Sequence, residues 1–349
     1  MGLPNIVVTF KEKAATAITR SERGIVCLVM NDATKTDPFY EYRSILDVSE
    51  EDWSEDNLKA LKDAFLDGPS KVYAVRLETE KKFSDAEAAL DKIKINWLAY
   101  IGADQTGVAD YVKKRNMKPV SAAIKAVVHS QTADDIHVVN FANTKVKRKG
   151  EEEIEGYKYL GRIAGMLAAL PMTRSCTYYK FDDLESVVDA ADIDAAVDKG
   201  EFVLFNDYGT VKVARGVNSA TTIENPDLKK ITIIEGMDLM KEDIIETFKE
   251  QYVGQYKNNL DNQSVFLASV NTYYRQLAHE QILDSGFSNL AQIDTEKQRQ
   301  AWVNSGKTEA MDWDDEIVKK NTFRSNVYLK GNVKFLDAIE DLEFDIFLN

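Results

Sequence analysis

The sequence predicts a mixed fold, an α/β layer domain followed by an α+β domain, with an extended β-arm at each end of the chain. Between residues 25 and 170, short apolar runs alternate with segments of helical periodicity, which is typical of a mostly parallel sheet covered by helices. After about residue 180, a hairpin signal and two long helical segments replace that alternation. We therefore divide the chain into an N-terminal arm (1–20), an α/β domain (21–180), an α+β domain (181–322) and a C-terminal arm (323–349).

The α/β domain is predicted from strand runs and capped helices. Apolar runs predict strands over 25–30, 72–75, 97–101, 124–128 and 137–141. Ser54 can cap a helix that Gly68-Pro69 ends. Further helices are predicted from Ser84, over 107–114 and over 157–170. In the last of these, Gly161, Gly165 and Ala169 form a face of small residues, which predicts tight packing against a sheet.

The α+β domain has a different pattern. We predict a helix over 182–197, strands over 202–205 and 211–214 around the turn Asp207-Tyr208-Gly209, and a strand over 231–234. Two long helices are predicted over about 237–253 and 263–284.

The composition argues against several classes of protein. Of the 349 residues, 44% are hydrophobic, which is enough for a sizeable core and argues against disorder. A net charge of −14 makes the chain a poor candidate for binding nucleic acid or anionic lipid. Cys27 and Cys176 show no disulfide or metal-binding spacing, and no signal peptide is recognisable. We expect a reducing cytoplasm, no cofactor, no nucleic-acid partner and no membrane insertion.

Both ends of the chain carry β-prone segments without a neighbouring strand. The N-terminal segment consists of Asn5, Ile6, Val7, Val8, Thr9 and Phe10. At the other end Leu342, Phe344, Ile346 and Leu348 alternate with acidic residues, as in a half-buried strand. Between Val327 and Phe335, Lys330-Gly331-Asn332 predicts a turn. The simplest use of two such strands is β-augmentation between copies, and the alternative is pairing within the same chain.

Candidate catalytic chemistry is sparse. The histidines are His129, His137 and His279, and none belongs to a metalloprotease or zinc motif. Asp134, Asp135 and His137 could bind a metal, but a turn that enters a strand is the favoured interpretation. We predict no catalytic residue and no metal site.

The turn from Gly102 to Gly107 follows a predicted strand and precedes a predicted helix, where α/β proteins place phosphate loops. It lacks the residues that complete a P-loop or a dinucleotide motif. A plain turn is favoured, and the competing hypothesis is a soluble cytosolic α/β nucleotide-binding enzyme that uses 102–107.

Several segments resemble contractile-tail sheath proteins, especially the short sheaths of Gram-positive myophages, defective prophages and diffocin-like R-type bacteriocins. The segments are 161–171, Arg174 to Tyr179, Ala214 to Ser219 with Thr221-Thr222, Lys230 to Asp238, Tyr252 to Gly254 with Asn258, Asn259, Asp261 and Asn262, and Val270 to Tyr274. They occur in the order found in the family, over the last two-thirds of the chain.

The resemblance implies subunits that form stacked hexameric rings, in a helical lattice around an inner tail tube, and that contact baseplate and tail-terminator proteins. The terminal arms would reach neighbouring subunits and complete a small intersubunit sheet. The donated strands would lie within 5–10 and 342–348. The acceptor would be a hairpin that contains Val327, Tyr328, Leu329, Val333 and Phe335.

The function implied by the resemblance is structural. The subunit would polymerise around the tube and contract without ATP to drive the tube through a cell envelope. It would be found in a virion tail or a bacteriocin particle and would assemble in the cytoplasm of the host bacterium. The resemblance leaves open which of the two long helices faces the tube. An inner-tube or baseplate protein is a third hypothesis, against which the length and the segments at 161–179 and 214–222 argue.

Overall fold

The computed structural model describes residues 17–118 and 122–348, which form two compact units. The sheet unit comprises residues 21–242 and 337–348, and the helical unit comprises residues 17–20 and 243–336. The predicted strand 5–10 lies outside the described residues.

The strands and helices follow in chain order. The strands are β1 (Ile25–Asn31), β2 (Phe39–Tyr42), β3 (Lys71–Leu77), β4 (Trp97–Tyr100), β5 (Lys125–His129), β6 (Val138–Phe141), β7 (Lys145–Arg148), β8 (Glu153–Glu155), β9 (Lys180–Phe181), β10 (Leu184–Val187), β11 (Glu201–Phe202), β12 (Leu204–Asp207), β13 (Thr210–Val213), β14 (Leu290–Ile293) and β15 (Leu329–Asn332). The α-helices are α1 (Glu55–Ala64), α2 (Glu87–Leu90), α3 (Val108–Asn116), α4 (Leu160–Ala169), α5 (Ile193–Asp198), α6 (Ile231–Gln251), α7 (Leu260–His279), α8 (Thr295–Asn304) and α9 (Asp315–Lys320).

The main sheet of the sheet unit is mostly parallel, as predicted. Among the described residues, seven strands lie in the order β11-β6-β5-β4-β1-β3-β2, and each neighbouring pair is parallel except β3 and β2. The central strands β1 and β3 are buried almost throughout, because helices cover both faces. Val26 and Leu28 belong to the core that contains α1 and α4, whereas Cys27 and Val29 belong to the core that contains α3.

The small-residue face of α4 packs on a helix more than on a sheet. A Cβ added at Gly161 would lie 2.9 Å from the carbonyl oxygen of Ala60. A Cβ added at Gly165 would clash with the carbonyl oxygen of Ala64. Both carbonyls belong to α1, so the prediction of close packing is confirmed, while the predicted partner, a sheet, is only part of the contact. A Cβ at Gly161 would also lie 3.4 Å from the side chain of Leu28 in β1.

Smaller sheets complete the sheet unit. The order β10-β7-β8 forms one antiparallel sheet, and β12-β13-β9 forms another. The pair of β12 and β13 confirms the hairpin predicted around Asp207-Tyr208-Gly209.

The helix predicted over 182–197 is wrong for most of its length. Residues 184–187 form β10, in which Leu184 and Val187 are buried and pair with β7. Only Ile193–Asp198 is helical, and Asp192 caps it by accepting a hydrogen bond from the Ala195 N–H at 3.0 Å. The burial of the apolar side chains on β7 outweighs the helical preference of the small residues.

The strand predicted over 231–234 is also wrong, because these residues form the first turn of α6. Ile231, Ile233 and Ile234 are all buried, so packing compensates for the modest helical propensity of β-branched residues. The long helices predicted over 237–253 and 263–284 correspond to α6 and α7.

The turn predicted at Lys330-Gly331-Asn332 is wrong, and residues 327–335 do not form a hairpin of their own. Lys330, Gly331 and Asn332 belong to β15, which pairs antiparallel with β14 about forty residues earlier in the chain. At Gly331 the missing side chain leaves room for a neighbouring residue and does not form a turn. A Cβ at this position would lie 2.8 Å from the hydroxyl oxygen of Tyr274 on α7.

The compact units differ from the predicted division of the chain. Residues 181–242 belong to the sheet unit, because β11 joins the main sheet and β10 joins β7. The boundary lies between Glu242 and Asp243, within α6. The last described residues, 337–348, also belong to the sheet unit.

Candidate assembly interface

The last residues of the described chain expose a segment in which apolar residues alternate with two acidic ones. Residues 342–348 form no helix or strand, and the side chains of Leu342, Phe344, Ile346 and Leu348 are 72 to 96% exposed. Phe347 is equally uncovered. Exposed apolar segments of this kind mark interaction sites or aggregation hazards. We call residues 342–348 the apolar tip.

The residues that precede the apolar tip are held firmly on the sheet unit. The Glu340 side chain is only 6% exposed. One of its carboxylate oxygens accepts hydrogen bonds from the hydroxyls of Ser175 at 2.9 Å and Thr177 at 2.6 Å. Its other oxygen lies 3.6 Å from Lys230 Nζ and 3.8 Å from Arg215 Nη1. A buried carboxylate with this many partners fixes the path of the backbone around it.

Two further acidic residues flank Glu340 and use the same cations. Asp337 forms an ion pair with Lys230, and Asp341 Oδ1 lies 2.5 Å from Arg215 Nη2. Partial burial tends to lower the pKa of Lys230, but its hydrogen bond to Asp337 and the neighbouring carboxylates raise the pKa overall. The hydrogen bond and charge of Arg215 lower the pKa of Asp341. These shifts favour the charged forms of Lys230 and Asp341.

The first described residues are anchored on the helical unit. The Thr19 N–H donates to the Thr247 hydroxyl at 3.0 Å. Arg20 forms an ion pair with Glu280, and its guanidinium lies 5.4 Å from the ring centroid of Tyr273. Thr19 and Arg20 are therefore fixed to the unit built mainly by the C-terminal part of the chain.

The pair of β14 and β15 forms a two-stranded ribbon in the helical unit. Its register places Ala291 opposite Gly331 and Ile293 opposite Leu329. The predicted acceptor residues lie along or beside it. Leu329 is in β15, Tyr328 accepts a hydrogen bond from the Asp294 N–H at 2.9 Å, and Phe335 bridges Leu283.

The two edges of the ribbon differ. The Ala291 N–H donates to Asn271 Oδ1 at 2.7 Å, and the Ala291 carbonyl accepts from Asn271 Nδ2 at 3.0 Å. The side chain of Asn271 thus closes the outer edge of β14 at this residue. Because the backbone groups of Ala291 face Asn271, Ala291 and Gly331 form a pair without mutual hydrogen bonds. The N–H and carbonyl of Gly331 therefore face away from β14, and so do those of Leu329, two residues earlier. In the described part of the chain, no strand lies beside this edge of β15.

The competing chemical sites are built as structural turns. In the turn 102–107, the Gln105 side chain is buried and donates to the Tyr100 carbonyl at 2.9 Å. Gly107 has a φ of +89° and precedes α3. The amide of Gln105 therefore closes this turn from inside, where a phosphate loop would present free backbone N–H groups.

The acidic cluster at 134–137 is likewise occupied by protein groups. Asp134 accepts from the N–H groups of Thr221 and Thr222 at 2.7 and 3.1 Å, and these bonds hold its pKa well below the usual range. His137 Nε2 lies 3.1 Å from Asp238 Oδ1. Within residues 17–118 and 122–348, no group of three metal-binding side chains is brought together.

Comparisons with known proteins point in one direction. Residues 224–349 match the family model of the phage tail sheath C-terminal domain. The tail sheath protein of Clostridium phage phiCD119 is 33% identical over 365 residues, covering 99% of both chains. The chain belongs to the tail sheath protein family. The predicted resemblance is therefore confirmed, and the family is one of structural proteins.

Solved sheath structures share the fold. The sheath tail protein of Desulfitobacterium hafniense matches with a TM-score of 0.74 at 14% identity, covering 96% of this chain and 98% of that one. The contracted helical sheath of the anti-feeding prophage matches with a TM-score of 0.73 at 13% identity over 100% of both chains. These matches confirm the predicted mixed α/β fold class. No helix in the described ranges is long and apolar enough to cross a membrane.

Part of this candidate interface could not be predicted from the sequence patterns. These patterns did not identify β14 as the partner of β15, nor Asn271 as the residue that closes the outer edge of β14. They also gave no role to Ser175, Thr177, Arg215 and Lys230, although all four lie in segments that carry the resemblance. A usable signal was present at 337–341, where three acidic residues directly precede the apolar alternation.

Proposed function

We propose that this tail sheath protein polymerises by strand exchange, with the apolar tip of each subunit pairing with the β15 edge of a neighbour. The observation that carries the proposal is the coexistence of an uncovered apolar segment and an open strand edge. Leu329 and Gly331 present unpaired backbone groups, and the tip supplies a strand of alternating apolar residues. Leu329, Val333 and the flanking residues Val327, Tyr328 and Phe335 would form the acceptor surface.

Such a contact is heterologous, because donor and acceptor are different surfaces. Heterologous contacts generate rings when the rotation closes and helical arrays when it does not. Stacked hexameric rings in a helical lattice around an inner tail tube fit this rule. The segment 5–10 would supply a second exchanged strand, and baseplate and tail-terminator proteins would bound the lattice at its ends.

Contraction would be a rigid-body change of the lattice. Each subunit would rotate outward and bury more surface against its neighbours, while the arms keep the copies connected. Switching one isolated two-state unit decisively takes about 5.5 kcal/mol of bias. Because the rings are coupled, a smaller gain for each subunit suffices, and ATP is not needed. The particle would be a virion tail or a bacteriocin, assembled in the cytoplasm of the host.

Deletion of residues 342–349 tests the proposal. The protein is co-expressed with its tube protein, and the products are imaged by negative-stain electron microscopy. We expect folded subunits that form no stable sheaths. A length-matched variant with Leu342, Phe344 and Ile346 replaced by serine should fail in the same way, whereas Glu343→Gln, which keeps the apolar alternation, should assemble. Full-length sheaths of normal stability from the deletion would overturn the proposal.

A further inference from the structure

The root of the C-terminal arm meets a built polar site on the sheet unit. We call this site the clasp; it consists of Ser175, Thr177, Arg215 and Lys230, and it holds Asp337, Glu340 and Asp341. The body supplies two cations and two hydroxyls, and the arm root supplies three carboxylates. The two sides are therefore opposite in charge, although the carboxylates outnumber the cations by one and the second oxygen of Glu340 lies near both cations without accepting a hydrogen bond from the described residues.

The clasp is held in shape by its own contacts. The Gly216 N–H donates to Thr177 Oγ1 at 2.9 Å, and the Thr177 N–H donates to Ser175 Oγ at 3.1 Å. A Cβ at Gly216 would lie 2.7 Å from Cys176 Sγ, so the loops that carry residues 175–177 and 214–216 are packed closely. Neighbouring backbone groups therefore fix the two hydroxyls that donate hydrogen bonds to Glu340. The site is preorganised for a carboxylate.

The ion pairs between the arm and the clasp end at Asp341. In the arm root, 337–341, the three acidic side chains are bound to the clasp while Ile339 is exposed, and from Leu342 onward the side chains have no such contacts with the sheet unit among the described residues. We propose that in the assembled sheath the clasp keeps the root on its own subunit, and that only residues from Leu342 onward cross to the neighbour. This inference rests on the proposed strand exchange and adds the point at which exchange begins.

The boundary limits how far the arm can reach. Seven extended residues at roughly 3.3 Å each span about 23 Å. The β15 edge of the accepting neighbour must therefore begin within this distance of the clasp of the donor. The clasp would also carry the load between subunits, because tension on the exchanged strand would be transmitted to Glu340 and its partners in the clasp.

A zero-length carbodiimide cross-link tests the inference directly. This reagent joins an amine to a carboxylate that is already in contact, as Lys230 and Asp337 are. Sheaths are assembled with the tube protein from an equal mixture of ¹⁵N-labelled and unlabelled subunits, treated, digested and analysed by mass spectrometry. We expect links between residues 230 and 337 or 340 in which both peptides carry the same isotope. Mixed-isotope links at the statistical frequency would overturn the inference.

This outcome is separable from failure of the proposed function. If the wild-type protein forms no sheaths with its tube, the proposed function fails before any link is analysed. If sheaths form and the links are mixed, only the position of the exchange boundary is wrong.

Charge reversal gives a second test. Lys230→Glu adds a fourth carboxylate to Asp337, Glu340 and Asp341, so we expect loss of sheaths with the subunit still folded. The double variant Lys230→Glu with Asp337→Lys restores the ion pair between residues 230 and 337 but not the contact with Glu340, so it should recover part of sheath formation. Lys229→Glu makes the same charge change at the neighbouring residue and should assemble normally. Failure of the double variant to recover any sheaths, with both variants folded by circular dichroism, would contradict the inference.

Discussion

Asn271 and Ala291 form two hydrogen bonds in which a side-chain amide replaces a neighbouring strand. The bonds are 2.7 and 3.0 Å long and join α7 to the outer edge of β14. One edge of the ribbon is thereby closed at this residue, and the β15 edge is the one available for a donated strand. Because the β14 edge is closed at Ala291, a donated strand would pair with β15.

Asn271→Ala should destabilise the helical unit. The substitution leaves the N–H and carbonyl of Ala291 without their partner, and Ala291 is buried, so we expect a loss of about 1–3 kcal/mol in the free energy of unfolding. Urea denaturation of the subunit measures the change. Asn304→Ala, at an exposed position of α8, is the control and should have little effect. Equal stability of the two variants would show that the amide does not hold the edge.

Leu329→Pro should abolish assembly while leaving the subunit folded. Proline removes the N–H that faces away from β14, without removing a hydrogen bond of the ribbon. Leu329→Ala shortens the side chain but keeps that N–H, so it should retain at least partial sheath formation. Thermal unfolding and electron microscopy of both variants separate the two effects. Normal sheaths from Leu329→Pro would exclude this edge as the acceptor.

Gly165→Ala should destabilise the sheet unit. The new methyl group would collide with the carbonyl of Ala64, and overpacking of this kind costs about 1–3 kcal/mol, only partly offset by better helix propensity. We expect a clear fall in the midpoint of urea unfolding. Gly286→Ala is the matched control, since its Cβ would meet only the side-chain Oδ1 of Asp284, at 3.2 Å. A Gly165→Ala protein as stable as the wild type would mean that α1 and α4 are farther apart than described.

Asp238 should contribute to stability only above acidic pH. It lies 3.0 Å from the buried Lys125 ammonium, which also contacts Glu235 at 2.9 Å, and it faces His137. Burial by itself would raise the pKa of Asp238, but the charge of Lys125 and the hydrogen bond from His137 hold it well below its usual value. Since the folded-state pKa is the lower one, this stabilisation is complete above the unfolded value of about 4 and is lost as the pH falls further.

Asp238→Asn should therefore cost about 3 kcal/mol at pH 7 and progressively less below pH 4, where the wild type also loses the ion pair. Denaturation at a series of pH values measures both proteins. Asp194→Asn, on an exposed part of α5, should follow the wild-type curve. If the difference between wild type and Asp238→Asn did not change with pH, Asp238 would not be the ionised partner of Lys125.

Strands β1 and β3 were predictable because their apolar residues follow one another directly in the sequence. Strands β1 and β3 are buried on both faces, so they appear as continuous apolar runs that no helical or amphipathic pattern resembles. Residues 231–234 have the same β-branched character, yet they are helical because tertiary burial decided their conformation. Local preference alone could not separate these two cases.

The contacts that make up the candidate interface were only partly predictable, for a physical reason. The apolar alternation after Leu342 is a local pattern and indicates a strand by itself. The clasp combines residues 175, 177, 215 and 230 with 337–341, and only the fold brings these positions together. Gly331 gave a misleading turn signal, because its lack of a side chain serves the close approach of Tyr274.

The most direct test of strand exchange is a photo-cross-link from the apolar tip. Phe344 is replaced by the photo-reactive p-benzoylphenylalanine, and sheaths assembled from ¹⁵N-labelled and unlabelled subunits are irradiated and analysed by mass spectrometry. The account predicts links from residue 344 to the peptide that contains β15, with mixed isotopes at the statistical frequency. Links that always carry a single isotope would place the tip on its own subunit and contradict the account.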